Sequence, residues 1–234
     1  MSAYRRFFTR LKANAPRAFW RPARALATAL FTPVRFGLAT GHALSSLRNA
    51  AQAADGAPLP WYTYPAIDFL APRRFDGCNV LEFGGGQSTL WWAQRAAFVM
   101  TIEEDEGWAR RLRARVSANV DLRHVPIAPD SLERIRALIS AAPTQKFDVV
   151  VIDGHLRQEL VELAFDCLAP RGALLFDNSE GYGFYEETRA RSCRRIDFFG
   201  FAQGVSLRHC TSLAFVDDCF LLDPAIPIPS PERA

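Results

Sequence analysis

The sequence lacks several features that would have narrowed its class at once. The five cysteines (Cys78, Cys167, Cys193, Cys210, Cys219) are odd in number and form no C-x-x-C pair. Neither a disulfide framework nor a structural zinc site is expected, and a reducing cytoplasm is the expected compartment. Acid is missing from the start: residues 1–54 hold nine Lys or Arg and no Asp or Glu, the first acid being Asp55. The remaining 180 residues carry 19 basic and 25 acidic side chains, so a basic arm precedes a mildly acidic body. The arm also lacks the roughly 20 consecutive apolar residues that span a bilayer. Its uncharged run ALATALFTPV, between Arg24 and Arg35, is far shorter than that. There is no internal repeat and no low-complexity segment apart from a Pro-rich tail over 226–234. No nucleic-acid-binding module is recognisable, so no nucleic-acid partner is expected.

What is present reads as a helical basic arm (1–55), one catalytic-size domain (56–225) and the tail. The arm admits three readings. It is an organellar transit peptide, a helix on an anionic membrane surface inserting Phe7, Phe8, Phe19, Trp20 and Phe31, or a solvated extension packed on the body. The second would make the protein peripheral at the membrane. Within the arm, GLATGHALSSLRNAAQAA predicts a helix ended by Asp55-Gly56, and a short helix is expected over 64–70.

From Asn79 the pattern becomes regular. Apolar runs of strand length recur at 79–83, 98–103, 120–125, 147–153 and 172–178, separated by helical stretches near 88–96, 105–118, 130–142 and 156–168. Such alternation, with nearly continuous apolar strands, predicts a doubly wound α/β core around a parallel sheet. After a helix near 184–193, two further runs, 194–202 and 211–222, stand about eight residues apart. A parallel crossover needs a dozen or more, so these two are expected to pair antiparallel.

The stretch NVLEFGGGQSTLWW (79–92) joins an apolar strand to a helix through three glycines. That architecture lets a ligand approach main-chain N–H groups at a helix start. A glycine turn alone is shared by many nucleotide folds and by plain turns. Three neighbours narrow it. Glu82 stands two residues before Gly84, where a dinucleotide-binding fingerprint has an apolar residue. Ser88 or Thr89 occupies the place of a third spaced glycine, with Ser88 a candidate N-cap. Glu103 closes the next strand, 17 residues beyond Gly86, placed for the hydroxyls of a ribose. Glu104 and Asp105 are either rival ribose acceptors or the favourable acids of the next helix's first turn.

VLEFGGGQST followed by MTIEEDEGW resembles the first two cofactor motifs of class I S-adenosylmethionine-dependent methyltransferases. The resemblance covers about residues 60–222. It implies a Rossmann-like seven-stranded sheet, mostly parallel with an antiparallel last strand, and S-adenosylmethionine as cofactor. It also implies that Glu82, Gly84, Gly85, Gly86, Ser88, Thr89, Glu103, Glu104 and Asp153 form the cofactor site. Where relatives place Asp or Asn for adenine, HVPIAPDS offers only His124 and Asp130.

In that strand order the ends of VVIDGH and LLFDN are neighbours, which brings Asp153, Asp177 and Asn178 together beside the cofactor's methyl group. Two carboxylates and an amide oxygen suit Mg²⁺ or another divalent cation, and the set resembles that of metal-dependent, catechol-type O-methyltransferases. Such an ion would acidify and orient a substrate hydroxyl. DGHLRQ lacks further features of that group, and Asp177-Asn178 would also serve simply to turn the chain. Asp153 and His155 are the candidate catalytic residues, His155 as the base that takes the released proton. Aromatics flank the expected mouth: Trp61, Tyr62 and Tyr64 before the first strand, and Tyr182, Phe184 and Tyr185 after the fifth. They read as packing or as walls for a planar or sugar acceptor.

The leading expectation is therefore methylation of a small-molecule or glycan hydroxyl, with a homodimer as a candidate assembly. Its rivals are an NAD(P)-dependent oxidoreductase, and a catalytically silent, membrane-associated binding or scaffold protein.

Overall fold

The computed structural model describes residues 17–182 and 184–223; the tail and the first sixteen residues of the arm lie outside them. Seven strands form one sheet: β1 (Asn79–Phe83), β2 (Phe98–Glu103), β3 (Val120–His124), β4 (Phe147–Ile152), β5 (Leu168–Phe176), β6 (Arg194–Phe201) and β7 (Arg208–Phe215). Their order is β3-β2-β1-β4-β5-β7-β6. The first five are parallel, and β7 runs antiparallel to both β5 and β6. The expected doubly wound sheet and terminal antiparallel pair are both present. The last apolar run leaves the sheet earlier than expected, because Asp217 takes a left-handed conformation (φ 51°) and Phe220–Leu222 coils into a 3₁₀ turn.

The sheet's position follows from its side chains. Alternate residues of the central strands enter opposite cores: Val150, Ile152, Leu174 and Phe176 on one face, Val149, Val151, Ala173 and Leu175 on the other. Both sets are buried, which is why β4 and β5 read as unbroken apolar runs rather than as alternation. By contrast β6, at the edge, alternates exposed and half-buried residues.

The helices are α1 (Arg17–Ala39), α2 (His42–Arg48), α3 (Tyr64–Leu70), α4 (Gln87–Ala93), α5 (Glu106–Arg113), α6 (Ser131–Ser140), α7 (Leu160–Cys167), α8 (Ser179–Tyr182) and α9 (Tyr185–Ala190). Among the described residues, none is long and apolar enough to cross a membrane. The helix expected from 156 starts only at Leu160, since Leu156 is left-handed at φ 54°. The single helix expected over 37–54 is two pieces. Gly41 (φ 77°) breaks it, and a Cβ there would lie 2.4 Å from the backbone of Ala53, which doubles back on it. Asn49, also left-handed, ends α2, and Gln52 then bridges to Pro58 across position 55.

Candidate active site

Strand order reverses between β1 and β4, whose successors lie on opposite sides. In an open α/β sheet, that is where a crevice opens beyond the carboxyl ends of the strands. A cavity of about 380 Å³ lies there, in the range of small-molecule sites. The β1–β2 end is lined by Gly84, Gly85, Gly86, Ser88, Glu103, Glu104 and Trp108. The other end has Asp153, Asp177, Asn178 and His209, with Trp61, Ala202 and Val205 as a wall.

The three glycines have different reasons. Gly84 is left-handed (φ 92°), and a Cβ on it would sit 2.5 Å from the backbone nitrogen of Gly154. A Cβ on Gly85 would meet Thr101 at 2.7 Å and Leu112 at 3.0 Å. Both are required by the protein's own packing. Gly86 is extended, and its nearest neighbour would be Trp108 at 3.8 Å, so nothing in the chain forbids a side chain there. Among the three, Gly86 alone leaves open space that a ligand would use.

Beneath the turn Glu82 is fully buried. Thr89 and Thr101 both donate to its Oε2, the latter at 3.0 Å, while Oε1 is buried with no partner. Burial pushes the carboxyl up to about 7, with the hydroxyls of Ser88, Thr89 and Thr101 pulling the other way. An unpaired buried carboxylate oxygen is costly unless something cationic or protic comes to it. Glu103 is held by two backbone donors, Gly85 N–H at 2.7 Å and Asp105 N–H at 2.8 Å, one to each oxygen. Each oxygen keeps a lone pair, and the carboxylate faces the cavity. The residues present therefore fit S-adenosylmethionine: an acid below the turn, an open glycine, and a positioned acid for two hydroxyls.

Asp105 is the N-cap of α5, accepting from Trp108 N–H at 2.5 Å. The indole of Trp108 donates to Gly85 O at 2.6 Å, bracing the turn from above. Glu104 accepts from the His155 ring.

The second constellation converges as expected, but around a guanidinium. Arg157 lies 9% exposed and donates to Asp153 Oδ1 at 3.0 Å, Asp153 O at 3.0 Å, Gly154 O at 2.8 Å and the carbonyl of Asp177. Asn178 Oδ1 lies 3.5 Å away. Thr211 meanwhile donates to Asp177 Oδ1 at 2.7 Å. Burial raises Asp153 despite Arg157, and burial followed by the charge of Asp153 raises Asp177 well above the usual carboxylate range. Of the expected divalent-cation ligands, Asp153 thus already gives Oδ1 to Arg157 and Asp177 gives Oδ1 to Thr211 and its main-chain oxygen to Arg157, so a cation there would compete with a resident guanidinium.

His155 also departs from expectation. Its side chain is 72% exposed and engaged with Glu104, outside the main cavity. The imidazole inside is His209, on β7. Its Nδ1 is 3.0 Å from Glu180 Oε1 and 3.3 Å from Asn178 Nδ2, which leaves Nε2 as the ring nitrogen available to a ligand. Glu180 is itself anchored by Cys210 N–H at 2.9 Å. Neither His209 nor Glu180 has a local motif; the antiparallel β7 brings them together across 29 residues. Arg157 had a signal, four residues after Asp153, as Trp108 did one turn after the cap.

Of the flanking aromatics, Trp61 reaches the cavity, its indole pinned to Gln203 O at 2.8 Å. Tyr62 and Phe184 are core residues, and Tyr182 covers the Arg157 guanidinium at 4.5 Å.

No protein-family model matches the chain, and no curated protein matches it. Solved structures do. An O-methyltransferase from Bacillus cereus, solved with S-adenosylhomocysteine, matches with a TM-score of 0.50 at 20% identity, over 86% of this chain and 99% of that one. The O-methyltransferase TomG from Streptomyces achromogenes, involved in tomaymycin synthesis and solved with S-adenosylmethionine, matches with a TM-score of 0.52 at 20% identity over the same shares. At such identities the likeness establishes architecture: this chain has the fold of class I S-adenosylmethionine-dependent methyltransferases.

Proposed function

We propose that the protein is an S-adenosylmethionine-dependent methyltransferase acting on a hydroxyl of a small molecule or glycan, without a catalytic metal ion. The observation that carries the cofactor reading is the contrast within the glycine turn: Gly84 and Gly85 are required by packing, whereas Gly86 opens on the cavity above a buried, half-partnered Glu82. Fold neighbours that hold S-adenosylmethionine or S-adenosylhomocysteine support it.

When bound, the cofactor supplies a methyl group on a positively charged sulfur. Glu82, directly or through water, and Ser88 receive its aminoacyl end, and Glu103 accepts from its ribose hydroxyls. Across the cavity, His209 Nε2 takes the proton of the acceptor hydroxyl as that oxygen accepts the methyl group. Glu180, at Nδ1, fixes the tautomer and offsets the imidazolium charge. Arg157 pairs with Asp153, and burial together with the charge of Asp153 favours the protonated form of Asp177, so the acceptor end has no need of an added cation. Most of the rate enhancement then comes from holding the two reactants in line.

Calorimetric titration with S-adenosylhomocysteine and with NAD tests the cofactor. Micromolar binding of the first is expected, and binding of NAD alone sinks the reading. Transfer of labelled methyl to a panel of phenols and sugars should survive EDTA; activity that vanishes with EDTA and returns with Mg²⁺ would overturn the metal-free mechanism.

A further inference from the structure

We propose that α1 is a docking surface for an anionic lipid bilayer. The inference goes beyond methyl transfer and does not rest on it. Five large apolar side chains of this helix face solvent: Leu26 (62% exposed), Leu30 (59%), Phe31 (68%), Val34 (59%) and Leu38 (68%). At 100° per residue they fall within an arc of about 140°. Arg24, Arg35 and Arg21, all exposed, follow along one edge of that arc within about 80°. Phe36, on the far side, meets the body, its ring 5.2 Å from Tyr64 and 5.4 Å from His42. The apolar arc therefore points away from the domain, along a helix about 34 Å long.

Charge selects the occupant. An apolar stripe edged by arginine, in a segment with nine basic residues and no acid, matches a surface whose interior is apolar and whose headgroups are negative. A second copy of the chain is a poorer match. Pairing two such stripes sets arginine rows against each other with no carboxylate to offset them. Pro22 and Pro33 stand inside the helix, each removing a backbone hydrogen bond, so α1 gains more than most helices from a surface that packs its apolar side.

The test is co-sedimentation of the full chain with vesicles of phosphatidylcholine alone or mixed with phosphatidylglycerol. Partitioning at least about tenfold stronger onto the anionic vesicles is expected, falling several-fold in about 0.5 M salt. Leu30→Asp with Phe31→Asp should abolish it, and Arg24→Glu with Arg35→Glu should abolish the preference for anionic lipid. Unchanged circular-dichroism spectra and melting temperatures of both variants show that they are folded. Equal partitioning onto the two vesicles, or full retention by the Leu30/Phe31 variant, overturns the proposal. So does a wild-type mass of two chains that falls to one in that variant without any vesicle binding.

Discussion

The two ends of the cavity are built on opposite plans. At the β1–β2 end polar capacity is left over: Glu82 Oε1 has no partner, Gly86 has room for a Cβ, and the Glu103 oxygens have one bond each. At the β4–β5 end part of the capacity is already taken: Arg157 holds Asp153 Oδ1 and Thr211 holds Asp177 Oδ1 before any ligand arrives. The difference teaches which acids are there to bind. A carboxylate with nothing to accept from is kept ready for a visitor. One wrapped by a guanidinium shapes the floor.

The strongest way to break this contrast is to remove the guanidinium. Arg157→Ala leaves the buried Asp153 carboxylate without its partner beside Asp177, and stability should fall by about 3–5 kcal/mol in denaturant titration. The same variant should then be stabilised by millimolar Mg²⁺ or Mn²⁺, where the wild type is not; if both respond equally, the second end was a metal site all along. Alanine at the glycines comes next. Gly84→Ala forces a Cβ into Gly154 at a left-handed position and should cost about 3 kcal/mol or more. Gly86→Ala should melt as the wild type does yet bind S-adenosylhomocysteine about tenfold or more weakly.

Replacing the cavity's histidine is the third test. His209→Ala should lower turnover by about 10²-fold or more with cofactor binding intact, whereas His155→Ala should change it less than about threefold. Equal losses would mean that the acceptor lies nearer His155. The smallest effect is in pH. Glu82 sits at about 7 against its ordinary 4.5, so the cofactor-free protein loses stability as pH rises across that window. Glu82→Gln should melt several degrees higher at pH 8. A ligand carrying an amino cation favours the ionised form. Its affinity should therefore climb by up to about tenfold per pH unit below 7, and this slope should vanish in Glu82→Gln.

How much of this the sequence carried depended on distance along the chain. Strands β1 and β2 and helix α3 fall on the residues their patterns indicate, because apolar run and turn chemistry agreed locally. That the glycine turn and Glu103 meet at one end of the cavity was legible for the same reason: these residues lie within two short motifs. The other end was legible in the meeting of its acids but not in the arginine between them. Asp153, Asp177 and Asn178 do meet, yet what stands between them depends on Leu156 taking a left-handed turn that folds Arg157 back. No pattern in DGHLRQ announces that turn. His209 was out of reach because its partners come from another strand end, and His155, nearer in sequence, lies outside this cavity beside Glu104. The glycines were a motif with two causes, packing and access, that only coordinates separate.

The wall segment that holds Ala202 and Val205 is pressed from outside. Gly204 donates to His42 at 3.2 Å, and a Cβ on it would strike Ser46 of α2 at 2.6 Å. The width of the cavity at this wall is therefore set by a helix that lines none of it. Changes ahead of the first strand can reshape this wall while the glycine turn stays as it is, so under the proposed function acceptor range and cofactor affinity are free to diverge independently.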